Sequence, residues 1–114
     1  MTAPVRVSDL VARIEAEIAE LQAAEKATVE DRRAVELDQQ SVGRLSRMDA
    51  LQVQAMALEQ SRRRSQRLTA LKAALRRAGE GELGICQECG DDIAAGRLAL
   101  DPATLRCVSC ARGV

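Results

Sequence analysis

Cys86-Gln-Glu-Cys89 and Cys107-Val-Ser-Cys110 hold the four cysteines of the chain, with seventeen residues between the two pairs. A C-x2-C pair repeated after such a spacer is the arrangement of a tetrahedral structural zinc site. Two residues between cysteines let one tight turn aim both sulfurs at a single ion. Gly90, directly after the first pair, suits that turn, because glycine tolerates positive φ and lets backbone N–H groups approach the thiolates. The chain has no histidine, so Cys86, Cys89, Cys107 and Cys110 are the whole ligand set for one zinc ion. Two disulfides or four free thiols are the other readings of these residues. Disulfides belong to secreted chains, and Met1-Thr-Ala-Pro4 does not open like a signal peptide. A thioredoxin-like redox motif needs a βαβ surround that the flanking sequence does not offer.

Working outward, the 114 residues are at most one ordinary domain's worth of chain, and none is aromatic. Aromatic side chains supply the largest single burials in a compact core, so a large globular core is not expected. The remaining Ala, Leu, Arg, Glu and Gln form helices readily. No apolar run reaches the length of a membrane span. A cytoplasmic, reducing location is the expectation. Net charge is zero but unevenly placed: residues 1–40 carry nine acids against five bases, and residues 41–80 carry nine bases against three acids. Two such segments lying side by side neutralise each other. Arg62-Arg63-Arg64 reads as a solvated helix face, with a nucleic-acid patch as the alternative.

Ser8 reads as an N-cap, and Val11, Ile14, Ile18, Leu21, Glu25, Thr28, Arg32 and Val35 follow at heptad spacing. A helix over about 8–40 would be roughly 50 Å long at ~1.5 Å per residue, and its stripe needs a partner. Gly43 lies in the break at about 39–49, and Ser46-Arg-Met-Asp49 reads as a capping box. A second helix over about 46–79 carries Leu51, Ala55, Leu58, Arg62 and Ser65, then Leu68, Leu71 and Leu75 after a three-residue step that reads as a stammer. Gly79 and Gly81 end it. Two helices so joined fold back antiparallel, with facing positions summing to about 86. That rule sets Val35 against Leu51, Thr28 against Leu58, Ile18 against Leu68, Val11 against Leu75, and Glu25 beside Arg62. The fold expected is mainly α: a long antiparallel coiled-coil hairpin over 1–80, then a small four-cysteine finger over 81–114. Within the finger, two short ribbons are expected around Asp91 to Arg106, with a turn at Asp101-Pro102. Ile85, Ile93, Leu98, Leu100 and Leu105 are too few for a core, so the metal must supply much of the folding free energy.

A coiled-coil hairpin followed by such a finger resembles the DksA/TraR family of bacterial transcription regulators. The resemblance covers nearly the whole chain. It is carried most specifically by Gly84-Ile-Cys-Gln-Glu-Cys-Gly90, by Ile93 to Leu98 with Arg97-Leu98, and by Pro102 to Cys110. It implies a non-enzymatic protein that binds RNA polymerase, inserts its hairpin through the secondary channel and changes promoter-complex stability without reading a DNA sequence. The family's tip motif, Asp-x-x-Asp-x-Ala, falls on Ser46, Asp49 and Leu51, so one acid is kept, one is a hydroxyl and the alanine is enlarged. Asp49 is the candidate tip contact and also a helix cap. Arg63 falls where family members carry a basic residue facing the channel rim. The basic positions that members use for the alarmone ppGpp fall on Ala70, Asp101 and Ala111, which implies action independent of ppGpp. The family usually has a helix after its last cysteine, where this sequence has four residues.

Other functions are weighed on the same residues. Cleavage-stimulating factors of the same channel need paired acids to hold a catalytic Mg²⁺, and Asp49 is the one acid of the tip, flanked by Arg44 and Arg47; Asp38 could approach from the first helix. A chain without histidine or a Gly-rich phosphate loop offers no familiar catalytic set. A DNA-binding finger needs a basic face, and the metal segment has three arginines against five acids. A zinc-ribbon adaptor using its helices for another protein is the main alternative. Oxidant-driven zinc release is a further reading of the thiolates. A monomer is expected, with no membrane partner.

Overall fold

The computed structural model describes residues 6–42 and 47–113, with side chains described over 6–30 and 48–113. Four helices follow in chain order: α1 (Val7–Val42), α2 (Arg47–Gly79), α3 (Ala95–Leu100) and α4 (Val108–Ala111). Two long helices and a four-cysteine segment agree with the expected fold class. The break at Gly43 and the Ser46 cap lie outside the described residues. No helix among the described residues is long and apolar enough to cross a membrane.

The chain divides into two compact units, Ala19–Leu68 and the pairing of Met1–Ile18 with Thr69–Val114. Ala19–Leu68 is a helical hairpin whose seam is largely polar. Glu25 on α1 accepts from Ser61 Oγ at 2.6 Å and from Arg64 Nε at 2.9 Å, while Arg64 Nη2 donates to Thr28 Oγ1 at 3.1 Å. The pairing of 25 with 61 satisfies the expected register, but the face of α2 turned inward differs from the expected one. Leu51, Ala55, Leu58, Arg62 and Ser65 are all exposed, whereas Ala57, Ser61, Arg64 and Leu68 are half-buried. Those four continue through Leu71, Leu75 and Ala78 at unbroken spacings of four and three. No stammer is needed; the three-residue step arose from assigning the exposed Leu51 and Leu58 to the seam. Arg62 accordingly pairs with Glu59 on its own helix at 2.6 Å, and Glu25 takes Arg64 instead. Small side chains at Ala57 and Ser61 let the long Arg64 lie along the seam with its head on a carboxylate, which hydrophobicity alone does not reveal.

In the other unit, α1 supplies Leu10 and Ile14, α2 supplies Leu71 and Ala74, and the segment after α2 supplies Leu83, Ile93, Leu98 and Ala103, all buried. The finger's few apolar side chains therefore share a core with the helix ends. Arg13 Nη1 adds a 3.4 Å contact to the Leu98 carbonyl. α1 starts one residue before the expected cap: the Arg6 carbonyl accepts from Asp9 and Leu10 N–H groups, leaving Ser8 inside the first turn. α2 ends as expected. Gly81 at φ 77° donates to the Ala78 carbonyl at 3.2 Å, and Glu82 donates to the Arg77 carbonyl at 2.8 Å. These paired bonds form a Schellman cap, whose left-handed residue is almost free of strain only as glycine.

Arg64→Ala is expected to lower stability by about 1–2 kcal/mol, since it removes one donor from a half-buried carboxylate and one from a hydroxyl, and the exposed Arg62→Ala to cost clearly less. Urea unfolding followed by helical circular dichroism compares the two; equal losses would contradict the inward placement of Arg64.

Candidate metal centre

Each cysteine pair is placed by its own backbone device. In the first, Gly84 and Asp91 flank a narrow loop closed by Cys86 N–H on Asp91 O at 2.8 Å and Ile93 N–H on Gly84 O at 2.8 Å, with an isolated antiparallel bridge between Ile85 and Asp92. Gly90, at φ 78°, donates to Cys86 O at 3.0 Å and turns the chain back, as its position suggested. In the second, Cys107 is the extended N-cap of α4 and Cys110 lies inside that helix; Ala111 N–H donates to Cys107 O at 3.0 Å. Gln87 N–H on Leu105 O at 2.9 Å draws the two pairs together.

Between them, the expected ribbons are replaced by α3. The Ala94-Ala-Gly-Arg-Leu-Ala-Leu100 run lacks β-branched residues and takes the helix, with Arg97 Nε anchored on Arg106 O at 2.8 Å. The turn at Asp101-Pro102 is present: Asp101 Oδ1 accepts from Ala103 N–H at 3.0 Å, and Asp101 O accepts from Thr104 N–H.

The four sulfurs lie within 4.8 Å of one another, and those of Cys89 and Cys107 are 3.7 Å apart. A disulfide requires about 2.05 Å, so no cysteine is bonded to another. Zinc–sulfur bonds of about 2.3 Å at the tetrahedral angle would separate sulfurs by roughly 3.8 Å. The donor set and its spacing fit that ion. Sulfurs this close also oppose one another's ionisation. Backbone N–H groups of Cys89 and Cys107 aimed at Cys86 pull its thiol down to about 6. Cys89 is lowered by the Asp91 N–H, but Cys86, burial and Cys107 raise it on balance. Cys110 is pushed far above the ordinary thiol range, first by Cys107 and then by Cys86. Cys86 therefore gives up its proton readily, while the neighbours of Cys110 hold its thiol protonated until a cation offsets them. These residues hold one structural zinc ion.

Residues 81–114 match the prokaryotic DksA/TraR C4-type zinc finger. The finger is of the DksA/TraR type. A likeness of fold alone covers most of the chain. The structure of transcription factor DksA2 from Pseudomonas aeruginosa superposes with a TM-score of 0.78, covering 94% of this chain and 81% of that one at 23% identity. No curated protein matches the sequence closely.

The other residues singled out from the sequence lie apart from the metal. Asp49 is exposed in the first turn of α2, Leu51 is exposed two residues on, and Ser46 is outside the described residues. Arg63 is solvent-facing and reaches Glu59 at 3.2 Å; hydrogen bonds from Arg62 and then Arg63 hold that carboxyl at about 2. Ala70 and Ala111 are exposed, and Asp101 serves its own turn. Sequence reasoning missed Arg77, which is only 8% exposed. Its place four residues before the helix-ending Gly81 was the available signal.

Zinc binding must displace thiol protons, so affinity rises with pH and falls on acidification by more than about tenfold per unit below neutrality. Competition with a chromophoric chelator between pH 6 and 8 measures this; an affinity independent of pH would contradict a tetrathiolate site. Full loading is expected at one zinc per chain.

Proposed function

We propose that this protein is a transcription regulator that binds bacterial RNA polymerase and enters its secondary channel with the α1–α2 hairpin. The observation that carries the reading is the pairing of a DksA/TraR-type finger over 81–114 with a fold like that of DksA2 over nearly the whole chain. In this reading residues 1–80 form the inserted arm and 81–114 the finger that stabilises its base. Asp49 is the polymerase-facing acid of the tip, with Ser46 and Leu51 as its altered neighbours, and Arg63 meets the channel rim. The protein modulates initiation without catalysing a reaction, as a cytoplasmic monomer, and reads no DNA sequence.

The exposed apolar run Met48, Leu51, Val53, Met56 and Leu58 on α2 favours a second reading, a zinc-ribbon adaptor for another protein. Pull-down of core polymerase in the presence of a competitor occupying the secondary channel separates the two. Binding abolished by the competitor is expected; binding that ignores it would favour the adaptor. Asp49→Ala should bind polymerase as the parent does and lose most of its effect on promoter-complex lifetime.

Action is independent of ppGpp in this reading, because the corresponding positions are Ala70, Asp101 and Ala111. A ligand with roughly four negative charges is not drawn to a carboxylate. Transcription assays with polymerase lacking its own separate nucleotide site should show no ppGpp enhancement. A measurable enhancement would overturn this point.

A further inference from the structure

Arg77 is the one buried charged residue among the described residues. It sits at the end of α2, in the Schellman cap, and turns back over the loop that leads to the first cysteine. Nη2 donates to Glu82 O at 3.3 Å and to Ile85 O at 2.7 Å. Nε and Nη1 are buried with no hydrogen-bond partner. No carboxylate among the described residues pairs with it: Glu88 is taken by Arg106, Glu59 by Arg62 and Arg63, and Glu25 by Arg64.

A guanidinium taken out of water without a counter-charge is costly, and two carbonyl dipoles offset only part of that cost. A zinc ion in four thiolates is an anionic group, since four negative sulfurs outweigh the divalent cation. It needs nearby positive charge as much as Arg77 needs negative charge. The hydrogen bonds of Arg77 lead to it. Ile85 O belongs to the peptide unit whose N–H is that of Cys86, and Cys86 is the most buried of the four ligands. That peptide unit is held from both ends, its oxygen by Arg77 and its N–H by Asp91 O at 2.8 Å.

We infer that Arg77 is the positioning residue and counter-charge of the metal–tetrathiolate centre, joining the end of α2 to retention of the ion. Its hydrogen bonds set the backbone of Cys86, and its charge favours the loaded, anionic site over the protonated, metal-free one.

The test uses full-length, zinc-loaded protein and a chromophoric chelator, with Arg77→Met, Arg77→Lys and, as control, Arg76→Met at the exposed neighbouring position. Arg77→Met should weaken zinc binding about 10- to 100-fold, Arg77→Lys should stay within about threefold of the parent, and Arg76→Met should be unchanged. Rescue by lysine is what a merely space-filling role would not produce. Parental affinity in Arg77→Met would overturn the inference, as would zinc loss in Arg77→Lys equal to that in Arg77→Met. Should Arg77→Met fail to load at all, Arg77→Lys decides: zinc-loaded within the same limit it supports the inference, and zinc-free it refutes it.

Discussion

Four sulfurs held within 4.8 Å of one another are the constraint on which the rest of this structure depends. Without a cation the sulfurs of such a cluster oppose one another's ionisation, because each thiolate raises the cost of the next. A divalent cation reverses the sign of that interaction, and the spacing suits zinc. The segment around it has little else to fold on. Its buried apolar side chains are Leu83, Ile93, Leu98 and Ala103, and these join Leu10, Ile14, Leu71 and Ala74 from the helices. Metal binding and helix-end packing are therefore parts of one folding event, with free energy from ligation contributing directly to the fold.

Much of this was legible in the sequence because it rests on local chemistry. Cysteine spacing named the metal site, glycines at 81 and 90 marked two of the positions with positive φ, and the heptad stripe of α1 from Val11 to Thr28 marked buried or half-buried positions. The antiparallel register was legible as far as the Glu25–Ser61 contact tests it, although Leu51 and Leu58, two of the apolar positions used to set it, face outward. What was not legible depended on side chains acting against their usual preference. α2 turns Ser61 and Arg64 inward while Leu51 and Leu58 face out, so ranking positions by hydrophobicity picked a neighbouring stripe. Glu25 was rightly singled out for an arginine, but the choice between Arg62 and Arg64 needs the helix rotation to be known. The α3 region was expected as ribbons, but its Ala- and Leu-rich run without β-branched residues takes a helix.

The comparison with known proteins divides along the same lines. The finger carries the sequence signature, over 81–114, whereas the likeness over 94% of the chain is one of fold, at 23% identity. That is what a scaffold held by a metal would leave behind. Ligands and turns tolerate little change, while a coiled-coil stripe accepts many sequences of the right period. Asp49 and Arg63, the residues proposed to meet a partner, stand exposed on α2. Function at such positions is decided by the partner's surface rather than by the packing of this chain.

X-ray absorption at the zinc edge of the purified protein tests the central claim most directly. The account predicts a shell of four sulfurs at about 2.3 Å with no lighter ligand. A shell containing nitrogen or oxygen in place of sulfur, or a folded protein that carries no metal, would contradict it.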